Sequence, residues 1–561
     1  MRRANRRIRL VVAVFALVFA VALARVAWLQ AVRAEALDRM GTSQHRETLD
    51  MPAHRGTIFD RLGVQLALGE PATTVYANPR QIVDPRAAAL AAGRALDVEP
   101  ETIYELLADR SRGFVYVARK ADPEKADALE RQGIVGFGFY PEERRTYPQR
   151  TVASEVVGYA GVDNKGLSGI ELELDGALAG EDGSKTIVRD PFGRTLQVIE
   201  SEPVRDGRDV YLTIDNTIQG QVERVLRQTR TSWGAKAATA VVMDVETGGI
   251  LALGVEPGFD ANAFPTVARR DLQRLRNRAV TDTYEPGSTF KVVTIAGVLE
   301  SGLVSPGTEF RLPYSIQVAD RVIHDAAERG TQTMTVSQIL SQSSNVGVVT
   351  LAIELQRQAL SDWIERFGFG RPTGLDYPGE SKGIVLPPDD WSGSTIGNVP
   401  IGQGIAVTPM QMVAAYGALA NDGVWLQPHL VERVEGKKAV RPERRRVLSR
   451  GVAKQVKRML RGVVEEGSGT SAQVPGYSIA GKTGTAAKPE PTGGYSTSRY
   501  AASFVGYVPA NKPRLVVLVT VDEPRGTIWG GVVAAPAFAE IAQFALQYLE
   551  VPPDAPGAAG K

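Results

Sequence analysis

Residues 10–29 form an apolar run broken only by Arg25, and Arg2, Arg3, Arg6, Arg7 and Arg9 precede it. The run has roughly the ~20 residues that a helix needs to cross bilayer hydrocarbon. Arginines ahead of a span favour a cytoplasmic N-terminus. Arg25 can snorkel to the outer interface, where Trp28 also fits. A cleaved signal peptide is the alternative, with small residues at Ala20, Ala22 and Ala24. The run continues past them to Leu29 and into a polar, helix-prone stretch to Met40, which predicts an uncleaved anchor. The expectation is a cytoplasmic tail at 1–9, a single membrane span at 10–29 and everything later outside the cytoplasm, at the cell (inner) membrane.

Residues 30–205 mix short strand-like runs with many charges and read as a non-catalytic, elongated mixed α/β pedestal. Beyond 205 the pattern changes. Strand-like runs fall at 210–214, 239–245 and 249–255, with Glu246-Thr247-Gly248 as a hairpin turn, and again at 477–480, 501–508 and 515–521. Helical spacing covers 216–229, 288–301, 335–358, 408–421 and 534–549. Strands at both ends with helices between them predict an α+β domain over 206–550, one antiparallel sheet covered by helices. Residues 551–561, rich in Pro, Gly and Ala, read as a disordered tail.

Composition narrows the function classes. The 561 residues exceed one compact core. A net charge of +2 supplies no field for nucleic acid. The absence of cysteine excludes a disulfide framework and thiolate metal sites. The four histidines, His45, His54, His324 and His429, include no HExxH pair, which argues against a histidine-rich zinc site.

Three short patterns carry chemistry. Ser288 and Lys291 open a stretch that is otherwise apolar to Leu299, and a helix apolar all round is buried. Burial pushes a lysine toward its neutral form, which can accept a proton. Ser288 lies three residues before it, at a helix start that favours negative charge. A weak nucleophile, a neighbouring base and an anion-stabilising position are what acyl transfer needs. Ser343-Ser344-Asn345 interrupts two helical stretches, 335–342 and 346–355, and can point a hydroxyl and an amide into a cleft. Lys482-Thr483-Gly484-Thr485 brings a cation and hydroxyls to a strand edge, with Gly484 leaving room for a substrate backbone. Taken singly, each has an ordinary structural explanation: a capping serine with a snorkelling lysine, a capped loop, and an edge strand guarded by lysine.

S-x-x-K, S-x-N and K-[ST]-G each occur once, in that order, and together they resemble the penicillin-binding proteins and β-lactamases. The resemblance implies that Ser288 is acylated with Lys291 as base. Ser343 and Asn345 would assist proton transfer and bind a substrate amide. Lys482, Thr483 and Thr485 would hold a carboxylate, and the amides of Ser288 and Thr485 would form the oxyanion hole. Arg55 to Arg61 (RGTIFDR), Arg145-Thr146-Tyr147-Pro148, Val156-Val157-Gly158 and Gly169-Ile170-Glu171 resemble the class B pedestal, with Ser168 where the family usually has Glu. Gly402-Gln403-Gly404, Thr408-Pro409, Gln411, Trp529-Gly530-Gly531 and Ala534-Ala535-Pro536 extend the likeness.

The resemblance implies a monofunctional peptidoglycan D,D-transpeptidase that cross-links stem peptides through an acyl-enzyme on D-Ala-D-Ala, needs no metal or organic cofactor and is inhibited by β-lactams. No glycosyltransferase segment precedes the pedestal, so a membrane glycosyltransferase and divisome proteins are implied as partners. The Ser-Ser-Asn form and chain length resemble the septal type. An elongation-type enzyme, a penicillin sensor and a scaffold with little turnover remain open, and a secreted β-lactamase fits the anchor and pedestal poorly. A nucleotide-binding reading also competes, because 476–483 matches G-x-x-x-x-G-K-[ST]. A phosphate loop must run straight into a helix, whereas Gly484, Pro489, Pro491, Gly493 and Gly494 follow here.

Overall fold

The computed structural model describes residues 2–31, 46–189 and 195–555. By compactness the chain forms two units, Met1–His54 with Gly180–Gly207 and Arg55–Ala179 with Arg208–Lys561. The segment read as one pedestal at 30–205 is therefore divided between them. In the first unit the helix Arg2–Ala31 runs unbroken through Ala20, Ala22 and Ala24. Among the described residues it is the one helix long and apolar enough to cross a membrane. Strands Arg46–Met51, Gly183–Arg189 and Thr195–Glu202 form an antiparallel sheet in that order.

The second unit starts with a six-stranded sheet. It contains β1 (Ile58–Phe59), β2 (Gln65–Ala77), β3 (Val115–Ala121), β4 (Phe137–Thr146), β5 (Val210–Leu212) and the strand Val431–Val434. The long β2 pairs with both β3 and β4, while β5 runs parallel to β1. Helices α1 (Pro85–Leu96), α2 (Pro100–Ala108) and α3 (Pro123–Glu130) cover one face. Val75, Val115 and Val117 meet Ala92, Ile103 and Leu129 there. Asp84 and Asp122 cap α1 and α3 ahead of a first-turn proline, which lacks the N–H that would go unpaired.

The catalytic-type domain is a five-stranded antiparallel sheet. Its strands are β6 (Ala237–Asp244), β7 (Ile250–Glu256), β8 (Ala480–Pro489), β9 (Tyr495–Val508) and β10 (Leu515–Asp522), in the order β7-β6-β10-β9-β8. All eight residues of β6 are buried, because helices cover both faces. Ala238, Ala240 and Val242 point to a core with α4 (Asn216–Ser232) and the C-terminal helix Ala535–Tyr548. Val241 and Met243 point to the opposite core, which includes α5 (Lys291–Glu300), α6 (Val336–Ser341), α7 (Asn345–Leu355), α8 (Pro409–Ala420) and α9 (Arg450–Glu465). A sheet covered on both faces is the α+β arrangement expected.

Three local expectations change. The strand placed at 477–480 begins at Ala480 and runs to Pro489, so Lys482 to Thr485 lie inside it rather than after it. Tyr477 and Ser478 are instead tied to the end of the chain. Tyr477 Oη donates to Val551 O (2.7 Å) and Ser478 N to Asp554 Oδ1 (2.7 Å). These bonds also hold 551–555 against the domain, although the sequence reads as disordered from 551; residues 556–561 lie outside the described residues. Helix α9 was not anticipated, yet Val452, Val456, Met459, Leu460 and Val463 recur at helical spacing and are buried.

The pedestal segments singled out from sequence converge on Glu171, whose side chain is fully buried. Arg55 Nε donates to its Oε2 (2.8 Å), Arg145 Nε to its Oε1 (2.6 Å) and Tyr147 Oη to the same Oε1 (3.2 Å). Arg55 also reaches Asp175 Oδ1 (2.7 Å) and Glu171 O (2.9 Å). Removing one partner of a buried ion pair leaves an uncompensated charge. Glu171→Ala leaves the Arg145 guanidinium without a carboxylate and Arg55 with Asp175 alone, and should lower unfolding free energy by about 3–5 kcal/mol. Denaturant titration checks this, and a loss below ~1 kcal/mol would mean that the network does not anchor the pedestal.

Candidate active site

The segment carrying Ser288 is a 3-10 turn, Gly287–Phe290, followed by α5 from Lys291, rather than one helix from 288. Side chains three apart eclipse in a 3-10 turn, so Ser288 and Lys291 share a face. Gly287 has φ +55°, and a Cβ there would meet Thr485 O at 3.0 Å and Ala486 Cβ at 3.3 Å. The turn is further held by Gly287 N donating to Gly402 O (3.1 Å) and Tyr416 Oη donating to Thr289 O (2.9 Å). Ser288 is half-buried, while Lys291 is fully buried.

Ser343 occupies the break between α6 and α7 with φ +60°, a left-handed conformation that is costly for serine. Lys291 Nζ hydrogen-bonds Ser343 O, Asn345 Oδ1 (2.7 Å) and, at longer range, Ser343 Oγ (3.2 Å). Asn345 Nδ2 donates to His324 O (2.8 Å), which turns Oδ1 toward the lysine. Ser344 acts on the backbone instead. Its Oγ accepts from Gly347 N (2.9 Å) as the cap of α7 and donates to Asp325 (3.0 Å). Asp325 also accepts from Val346 N (3.0 Å) and Arg329 Nε (3.0 Å). No sequence pattern marked Asp325, which lies outside the three motifs.

The third motif sits on β8, the edge strand nearest the turn. Lys482 is fully buried, and its Nζ lies 3.0 Å from Ser343 Oγ. Thr483 Oγ1 pairs with Ser468 Oγ (2.7 Å), and Thr485 Oγ1 accepts from Gly530 N (3.1 Å). Ser468 was also missed by sequence reasoning, since a lone serine carries no signal. Gly484 serves the protein's own packing. A Cβ there would meet Ser503 Oγ at 2.3 Å and Pro286 O at 2.8 Å, so the glycine admits the nucleophile turn rather than substrate backbone. Within a strand, N–H and C=O of one residue point the same way. Thr485 O faces Gly287, so its N–H also faces the Ser288 turn.

Ser343 Oγ is therefore the junction between two buried lysines. Among the described residues, neither Nζ has a carboxylate within ion-pair range. Burial, then the Lys482 charge, pushes Lys291 well below the ordinary lysine range, with Asp325 opposing. Burial alone pushes Lys482 down to about 7. Two such amines do not both stay protonated. A neutral Lys291 donates to Ser343 O and Asn345 Oδ1 and keeps its lone pair for a proton. The nucleotide-binding alternative fails on geometry, because Lys482 leads into a strand and not a helix N-terminus.

Residues 238–543 match the penicillin-binding protein transpeptidase domain, and residues 50–212 the penicillin-binding protein dimerisation domain. The chain is 33% identical over 563 residues to the probable peptidoglycan D,D-transpeptidase PenA of Neisseria gonorrhoeae, covering 98% of this chain and 94% of the relative. It is 36% identical over 578 residues to the penicillin-binding protein PbpB of Mycobacterium tuberculosis, covering 96% and 84%. The peptidoglycan D,D-transpeptidase FtsI of Escherichia coli is 32% identical over 548 residues, covering 96% and 91%. The crystal structure of penicillin-binding protein 3 from Mycobacterium tuberculosis with aztreonam superposes with TM-score 0.72 at 32% identity, covering 91% of this chain and 99% of that one. On sequence and fold alike, the chain belongs to the class B penicillin-binding protein family.

Proposed function

We propose that this chain is a septal-type peptidoglycan D,D-transpeptidase acting through an acyl-enzyme on Ser288. The observation that carries the reading is the pair of buried amines, Lys291 and Lys482, sharing Ser343 Oγ beside the nucleophile turn. Ser288 Oγ attacks the carbonyl between two terminal D-alanines, and neutral Lys291 takes its proton. The amides of Ser288 and Thr485 receive the developing oxyanion, usually a large catalytic contribution. The C–N bond breaks, the last D-alanine leaves as an amine with the proton returned, and an ester remains on Ser288. The amine of a second stem peptide then attacks this ester. Lys291 takes the amine's proton and returns one to Ser288 Oγ, leaving an amide cross-link. Lys482, Thr483 and Thr485 hold the donor carboxylate. β-Lactams, which pair a strained amide with a carboxylate, enter the same site.

The apolar helix supports a reading of the chain as a single-pass membrane protein, and the arginines before the span favour a cytoplasmic N-terminus. The catalytic domain then lies outside the cytoplasm. A transpeptidase domain joins peptides and does not polymerise glycan, so a membrane glycosyltransferase and divisome proteins complete the system.

A fluorescent penicillin should label the purified protein one-to-one, and Ser288→Ala should abolish labelling; mass spectrometry that finds the adduct elsewhere sinks the nucleophile assignment. The two lysines should respond differently to arginine, which stays charged near neutral pH. Lys291→Arg should slow acylation by at least ~100-fold, the lower end of general-base contributions. Lys482→Arg keeps a cation for the carboxylate and should retain part of the rate; stopped-flow acylation giving the reverse order would exchange the roles.

The pH profile follows from the two downward shifts. Acidification protonates Lys291 and removes the base, so the second-order acylation rate constant falls on the acid side. Above about 7 the free enzyme loses the Lys482 charge, so carboxylate-bearing ligands react more slowly on the alkaline side. A bell-shaped profile for the free enzyme is expected, and a profile flat through neutral pH contradicts both assignments.

A further inference from the structure

Glu285 stands three residues before Ser288, outside the three motifs. Its Oε1 accepts hydrogen bonds from Gly404 N (2.9 Å) and Tyr495 Oη (3.1 Å). Gly404 belongs to the loop whose Gly402 O holds Gly287 N, and Tyr284 forms a two-bond bridge with Val407 further along it. Tyr495 begins β9, opposite Pro489 at the far end of β8. One carboxylate oxygen thus ties the nucleophile turn to the 402–407 loop and to the hairpin whose first strand carries Lys482 to Thr485.

The surroundings make that tie necessary. A cavity of about 570 Å³ lies beside the same segment, lined in part by Tyr284, Glu285, Ile405, Pro409, Ala486 and Ala501. Tyr284 and Glu285 therefore border open space on that side. The contacts of the turn with β8, at Gly287 and Gly484, are close approaches that set a minimum distance, and the hydrogen bond from Gly287 N reaches Gly402 rather than β8. Glu285 Oε2 is buried without a hydrogen-bond partner, so Oε1 alone makes both ties.

We propose that Glu285 is a positioning residue: through Gly404 N and Tyr495 Oη it sets the gap between the Ser288 turn and Thr485 on β8, and with it the geometry of the oxyanion site. The inference rests on the acyl-transfer reading above. Misplacement of reacting groups by ~1 Å can cost ~100-fold in rate, so the effect belongs in the acylation step rather than in prior binding.

The test uses the full-length protein in detergent and stopped-flow acylation by a fluorescent penicillin, resolving pre-complex affinity from the acylation rate constant. If wild type is not acylated at Ser288, the functional reading fails and not this one. With wild type active, Glu285→Ala should lower the acylation rate constant by about 10- to 100-fold with pre-complex affinity nearly unchanged. Glu285→Gln keeps an oxygen acceptor and should stay within about threefold of wild type, with the same pH profile, because the acceptor rather than the charge makes both bonds. Tyr495→Phe removes one donor and should fall between the two. A Gln variant as slow as Ala with a displaced pH profile would make Glu285 a proton-transfer group and overturn the proposal. So would an Ala variant with weakened affinity but an unchanged acylation step. Should Glu285→Ala fail to fold, the Gln and Tyr495→Phe pair still decides, since equal wild-type rates in Tyr495→Phe also overturn it.

Discussion

Two lysine amines are removed from water and brought within hydrogen-bond reach of one serine hydroxyl, with no carboxylate paired to either among the described residues. Burying an unpaired ammonium is costly, and the less costly solution is to lose a proton. That constraint organises the domain around it. Lys291 needs an apolar helix on every side, which α5 supplies with nine consecutive buried residues. Its polar partners must then come from the end of another helix, and the break at Ser343 exposes a carbonyl, a hydroxyl and an amide in one place. The left-handed backbone of Ser343 is strain placed where three elements meet, supported by Asp325 and the Ser344 cap.

The second requirement is backbone proximity. Gly287, Gly402 and Gly484 lie where chain segments approach too closely for a side chain: a Cβ on Gly402 would sit 2.2 Å from Gly287 O. These contacts bring the Ser288 turn against the edge of β8, so two amides can face one oxygen atom. The edge position of β8 leaves backbone groups unpaired toward the Ser288 turn. A strand paired on both sides would have no N–H left for an oxyanion.

A buried charge cluster joins apolar packing among the segments around Glu171. Arg55, Arg145, Tyr147 and Glu171 come from segments far apart in sequence and meet in one buried cluster. Such a cluster demands good geometry from every member, since a missing partner costs more than the pair contributes. It therefore specifies how these segments pack as well as holding them together.

Much of this was readable in the chain itself. Period and alternation located the apolar N-terminal helix, the central strands and most long helices, because a covered sheet and its helices leave a strong apolar pattern in strands such as β6 and β10. The motif serines and lysines were also visible, as an isolated charge in an apolar helix is conspicuous. The strand β8 was misplaced because Gly481 and Gly484 break its strand pattern, and its pairing with β9 is a long-range decision. Helix α9, though not anticipated, carries a clear apolar period and was equally legible. Residues 551–555 carry two prolines and no helix or strand period, which predicts no ordered end, and Asp554 orders them by finding Ser478. Sequence by itself determined which groups could do acyl transfer, since those are properties of residue types and short spacings. Tertiary structure alone decided that Lys291 and Lys482 share Ser343 Oγ, that Asp325 and Ser468 support the motifs, and that Thr485 faces the nucleophile turn. Each of these depends on burial and distance between segments tens to hundreds of residues apart, which no local pattern encodes.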